Sequence, residues 1–120
     1  MHYRQAGNLV AAPSHVLLHG IGSNSASWVR QLAAATGGVH RVLAWDAPGY
    51  GGSDLLQRPP ATAPSAGDYA ECLWAWLDAI GATQPVTLVG HSLGCLMAAA
   101  AALQQAERVQ RLLLLSPAQG

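Results

Sequence analysis

Along this chain, short apolar runs alternate with stretches of helical spacing. Val16-Leu-Leu18 is a brief run closed by His19-Gly20. Ser27 to Thr36 then places Trp28, Leu32 and Ala35 at helical intervals, and Gly37-Gly38 ends that segment. Arg41 to Trp45 forms a second apolar run. The stretch from Asp46 to Asp54, Asp-Ala-Pro-Gly-Tyr-Gly-Gly-Ser-Asp, is too rich in Gly and Pro to be anything but loop. Leu55 to Ser65 carries Pro59, Pro60 and Pro64 and is expected to be irregular. Tyr69, Cys72, Leu73, Trp76, Leu77 and Ile80 then share one helical face, with Gly81 as a stop. Pro85 precedes a third run, Val86 to Val89. Leu93 to Ala106 reads as an alanine-rich helix suited to close packing on a sheet. Val109 to Leu115 is a fourth run, ended by Ser116-Pro117.

Strands alternating with helices predict right-handed βαβ units, hence an α/β fold: a mostly parallel sheet with helices on both faces. The unbroken leucines Leu112 to Leu115 suit a strand covered on both faces. There is no internal repeat and no interdomain linker, so residues 1–120 read as part of one domain.

Composition narrows the function classes. Half the 120 residues are hydrophobic and a tenth are charged, which is a folding composition. Six basic residues, all arginine, balance six acids, so nothing recruits nucleic acid or an anionic membrane. No apolar run approaches the roughly 18 residues of a spanning helix, and the first ten residues lack a secretory core. A cytoplasmic location without membrane partners is the expectation. Cys72 and Cys95 make no disulfide framework. No metal-ligand cluster and no phosphate-binding G-x-x-x-x-G-K is visible, so neither metal nor cofactor is expected.

The chemistry concentrates at Gly90-His91-Ser92-Leu93-Gly94, where a strand pattern gives way at once to a helix pattern. So sharp a turn leaves no room for side chains two positions either side of its centre, and Gly90 and Gly94 remove them. Ser92 is then forced into a strained conformation with its oxygen above the sheet. The Leu93 N–H, at the helix N-terminus, faces the place where charge develops on an attacked carbonyl.

Three stretches in order, Leu17-Leu-His-Gly-Ile-Gly22, Asp46 to Asp54 and Gly90 to Gly94, together resemble the α/β-hydrolase superfamily, across nearly the whole chain. The likeness is greatest to small ester and lactone hydrolases such as 3-oxoadipate enol-lactonase. The resemblance implies Ser92 as nucleophile, with Ile21 and Leu93 as oxyanion-hole N–H donors. It implies a structural role for His19, Gly20, Asp46, Gly49 and Gly51, as for Gly90 and Gly94. His91, Gly22 and Trp28 are candidates for substrate contact. The implied partner is a small ester or lactone.

The family order of triad members is Ser, then acid, then His. After Ser92 the sequence holds one acid, Glu107, beyond the far end of the nucleophile helix, and no histidine. His19 reads as a hydrogen-bonded structural imidazole. His2, His15 and His40 read as surface residues on the sheet edge opposite the chemistry. The expectation is therefore the N-terminal half of a hydrolase of about 250 residues, nearly inactive alone, with the acid and His supplied elsewhere. His2 to Gly7 resembles the end of an early antiparallel strand with a hairpin partner preceding it. The family's strand order leaves the last strand at an open edge, where self-association is expected. Acyltransferases, thioesterases and haloperoxidases share this half of the fold. A different class is also readable: Gly20-Ile-Gly22-Ser-Asn-Ser25 with Asp46 has the spacing of a dinucleotide-binding turn and its ribose acid.

Overall fold

A computed structural model describes residues 1–20, 22–53 and 64–117. Its strands are β1 (Tyr3–Gly7), β2 (Pro13–Leu18), β3 (Arg41–Trp45), β4 (Val86–Ser92) and β5 (Val109–Pro117). They form one sheet in the order β1-β3-β2-β4-β5. β1 runs antiparallel to β3, and every other pairing is parallel. The parallel strands therefore all finish at one edge of the sheet, and antiparallel β1 begins there, with Tyr3 opposite Trp45.

Alternation along the strands sorts side chains between two faces. Val16, Leu18, Leu43, Trp45, Val86 and Leu88 point to the face covered by α2 (Ala66–Ala79) and α3 (Leu93–Gln104). There they meet Leu73, Trp74, Trp76 and Leu77 of α2 and Met97, Ala98 and Ala101 of α3. Leu17, Ala44 and Val89 point the other way, to Trp28 and to Leu32 of α1 (Val29–Ala35). Fully burying a leucine is worth about 1.5–3 kcal/mol, so the face with two helices supplies most of the packing energy. Its alanines let α3 approach closely enough for the Trp74 indole N–H to donate to Ala101 O at 3.1 Å. Arg108, in the 3₁₀ turn Ala106–Arg108, lies 4.6 Å over the Trp74 ring, donates to Ala82 O and pairs with Asp78 at 2.8 Å. One guanidinium thus ties the end of α2 to the connection between α3 and β5.

Several boundaries differ from the sequence reading, for local reasons. The first helix opens as a 3₁₀ turn, Ser25–Trp28, because the Asn24 side chain accepts the Ala26 N–H. α2 starts at Ala66, set by a reciprocal Ser65–Asp68 capping box. It is wedged against both the sheet and α3, so Trp74 is buried while Tyr69 and Cys72 are only half-buried. α3 ends two residues early, at Gln104. The segment expected to be irregular falls, over 54–63, outside the described residues. Covering of both faces of β5 is not found among the described residues: Leu112, Leu113, Leu114 and Leu115 are 38–48% exposed, and β5 stands last in the order of the described strands. Among the described residues, no helix is long and apolar enough to cross a membrane.

Candidate active site

β4 runs to Ser92 and α3 begins at Leu93, with no connecting residue. That junction puts Ser92 at φ +55°, ψ −118°, a conformation costing about 1–3 kcal/mol that persists only where its surroundings impose it. The surroundings are backbone. A Cβ on Gly90 would lie 2.5 Å from Gly94 O, and one on Gly94 would lie 2.2 Å from Leu18 O. Neither position admits a side chain unless α3 moves off the sheet. Ser92 is half-buried, and its Oγ makes no hydrogen bond among the described residues. Leu93 opens α3, so its N–H has no acceptor within the helix.

The loop after β2 closes on this serine. A Cβ on Gly20 would stand 3.0 Å from Ser92 Cβ and 3.5 Å from its Oγ. The two sequence motifs thus approach so closely that a side chain at Gly20 would crowd Ser92. His19 is buried, accepts the Ala47 N–H at Nε2 (3.0 Å) and donates from Nδ1 to Gly20 O (2.9 Å). Burial lowers its pKa, outweighing the Gly20 carbonyl and the Asp46 charge, which raise it. Both ring nitrogens are engaged, so His19 fastens the loop and does not face Ser92 as a base. Gly22 is exposed at φ +70°, and Ile21 lies outside the described residues.

Asp46, at the end of β3, is 2% exposed. Its Oδ1 accepts the Ser25 N–H at 2.7 Å, and its Oδ2 accepts the Gly52 N–H at 2.9 Å and the His2 imidazole Nδ1. Burial alone would raise the carboxyl pKa; the Gly52 and Ser25 N–H groups, with the Ser25 hydroxyl and His2, hold it at about 2. Gly51 must be glycine for this to form, since a Cβ there would lie 2.4 Å from the carboxylate. Gly49, at φ +85°, turns the same loop. Asp46 therefore binds the loop holding Gly20, the loop after β3 and the chain's first residues together. The ribose-acid reading fails here, because the carboxylate is fully committed inside the protein.

The remaining candidates fall into place around these loops. His91 is exposed, its ring edge-on to Trp28 at 6.5 Å. Trp28 is buried and lines a cavity of about 390 Å³ with Leu17, Val42, Val89 and Leu115. That cavity lies against the α1 face of the sheet, and neither Ser92 nor Gly20 lines it. Glu107 follows α3, about 18 Å of helix away from Ser92. His15 and His40 lie at the opposite sheet edge, as expected, rings 5.7 Å apart; His15 is half-buried there. The placement of His2 is corrected: antiparallel β1 begins where its neighbours finish, so His2 sits on the site edge beside Asp46. Ser25 entered the sequence reading only as the last residue of the dinucleotide-turn alternative; its buried N–H and hydroxyl, the latter also bonded by Arg4, are what Asp46 uses.

A family model described as the alpha/beta hydrolase fold matches residues 16–119. The chain is 33% identical over its full length to a 2-hydroxy-6-oxononadienedioate/2-hydroxy-6-oxononatrienedioate hydrolase of Paraburkholderia phymatum, and spans 41% of that protein. It superposes on Est816, an N-acyl homoserine lactone degrading enzyme, with a TM-score of 0.79 and 30% identity, over 97% of this chain and 41% of that one. The enol-lactonase of Burkholderia xenovorans gives 0.78 and 28%, over 92% and 41%. The chain thus spans about two fifths of these relatives.

Proposed function

This chain belongs to the alpha/beta hydrolase family, and from that membership we propose that it carries the nucleophile and oxyanion hole of a serine hydrolase acting on carboxylic esters or lactones. Ser92 Oγ attacks the carbonyl carbon while a general base takes its proton. The tetrahedral oxyanion is held by the N–H groups of Leu93 and Ile21. Collapse expels the alcohol oxygen, which takes the proton back from the base, and leaves an acyl group on Ser92. Water, deprotonated by the same base, then releases the acid. The base and its orienting carboxylate come from outside these residues: His19 is committed to Ala47 and Gly20, and Asp46 to Ser25 and Gly52. The 120-residue chain by itself therefore turns over little.

What carries this reading is the close approach of the Gly20 backbone to a strained Ser92. Preorganised donors beside a nucleophile stabilise the developing charge without reorganising, a term worth about 3–4 kcal/mol per donor in acyl transfer. The test is labelling with a fluorophosphonate and peptide mapping by mass spectrometry, on a protein joining this chain to a family C-terminal half with its acid and His. Expected is modification at Ser92, abolished in Ser92→Ala together with hydrolysis of a phenyl ester. Full hydrolysis in Ser92→Ala would overturn the assignment.

A further inference from the structure

Arg4 is a cation that the catalytic reading leaves unused, and β1 carries it to the site. Tyr3 packs with the α2 face of the sheet and Ala6 with the α1 face, so alternation turns Arg4 to the same side as Ala6. There its Nε donates to Ser25 Oγ at 3.2 Å, at the start of the 3₁₀ turn Ser25–Trp28. Arg4 is exposed and Ser25 is 1% exposed, so the guanidinium keeps its charge in water while one N–H reaches a buried hydroxyl. The chemistry of the groups gives this chain of bonds one direction. A guanidinium only donates and an ionised carboxylate only accepts. Ser25 Oγ therefore accepts from Arg4 and has its own proton left for Asp46, whose pKa that hydroxyl helps to lower. Among the described residues no arginine pairs with Asp46 directly; Arg4 acts on it through Ser25.

We propose that Arg4 is a positioning residue for the oxyanion hole: through Ser25 it fixes the far end of the loop after β2, and with it the distance of that loop's N–H groups from Ser92. The inference rests on the serine-hydrolase reading above. The near end of the loop is Gly20, which stands against Ser92 and whose carbonyl accepts from His19 Nδ1 and from the Ser23 N–H. The far end is Ser25, whose N–H goes to Asp46 Oδ1 at 2.7 Å and whose hydroxyl lies between Asp46 and Arg4. Gly52 and His2 use the other carboxylate oxygen, so Arg4 bears on the arm of the junction that holds this loop. A connection so short, fastened at both ends, leaves its backbone little room to drift, and small misplacements of a group that meets developing charge are costly in rate. Oxyanion donors act on the transition state, so a loop loosened at Ser25 lowers kcat and leaves KM in place.

The experiment uses the joined protein of the Ser92 test, with each rate divided by the sites a fluorophosphonate titrates, so that unfolded molecules do not count. Arg4→Met keeps the stem and removes donor and charge. Its kcat on a phenyl ester should fall about tenfold with KM unchanged, short of the roughly hundredfold or more that follows loss of an oxyanion donor itself. Arg4→Leu is a second variant read in the same way. Affinity for phenylboronic acid, whose adduct with Ser92 is tetrahedral, should weaken by the same factor, while affinity for the product acid should hold. Arg4→Lys, whose ammonium can reach Ser25 Oγ, should recover most of the rate. In a Ser25→Ala background Arg4→Met should add nothing further. Arg41→Met is the control: Arg41 bonds Gln5 and Ala11 O at the end of the sheet away from Ser92, and its loss should leave kcat per site unchanged. An unchanged kcat per site in Arg4→Met and Arg4→Leu, an equal fall in Arg41→Met, or full additivity with Ser25→Ala would each overturn the proposal. Hydrolysis that persists in Ser92→Ala would instead overturn the reading beneath it.

Discussion

Two regions meet at Ser92 and are held by different physics. The elbow, from Gly90 to Gly94, is fixed by exclusion: backbone atoms of β2 and α3 occupy the space any side chain would need. The junction at Asp46 is fixed by attraction: one buried carboxylate gathers the N–H groups of Ser25 and Gly52 and the imidazole of His2, the residue before β1. Exclusion is indifferent to pH and intolerant of volume. Attraction is tolerant of small shifts but fails when the charge is lost. The site therefore has one half that mutation breaks and another that acid loosens.

The largest effect should come from volume at the elbow. Gly94→Ala drives a methyl into Leu18 O and is expected to cost about 3 kcal/mol or more, read as a lower urea midpoint, with Ser92 displaced and unreactive to a fluorophosphonate. An unchanged midpoint would show that exclusion does not hold the elbow. Next comes charge at the junction. The Asp46 pKa falls on folding from 3.8 to about 2. Its stabilisation is thus fully present above about pH 4 and is lost as pH drops towards 2, amounting to about 2 kcal/mol. Urea titrations across that window should show the loss in the parent chain and a flatter profile in Asp46→Asn, which is also less stable at neutral pH. Equal slopes would mean that another group governs acid sensitivity. The smallest effect, of opposite sign, is relief of strain: Ser92→Gly should raise stability by about 1 kcal/mol. A loss there would indicate that the Ser92 side chain packs more than it strains.

The elbow was legible in the sequence because exclusion leaves a mark in residue identity: only glycine fits at Gly90 and Gly94. The sheet was legible for a similar reason, since β2, β3 and β4 are short apolar runs bounded by Gly, Pro and Asp. The junction was far less so. The partners of Asp46 are main-chain N–H groups of Ser25 and Gly52, which any residue could offer. The place of His2 follows from the direction of β1, which its five residues do not encode. Trp74 escaped a one-face reading of α2 because that helix is buried on two sides, by the sheet and by α3. The exposure of β5 could not be read from its leucines, whose run is identical whether the strand is central or terminal.

The sheet order also bears on how the chain is made. β2 lies at the centre, yet one of its neighbours, β4, is not translated until Val86. On a ribosome adding about 5–20 residues per second, β2 and β3 wait some seconds with a bare margin after Trp45 emerges. Any pause between Trp45 and Val86 lengthens the time for which that margin of β2 stays without its strand partner.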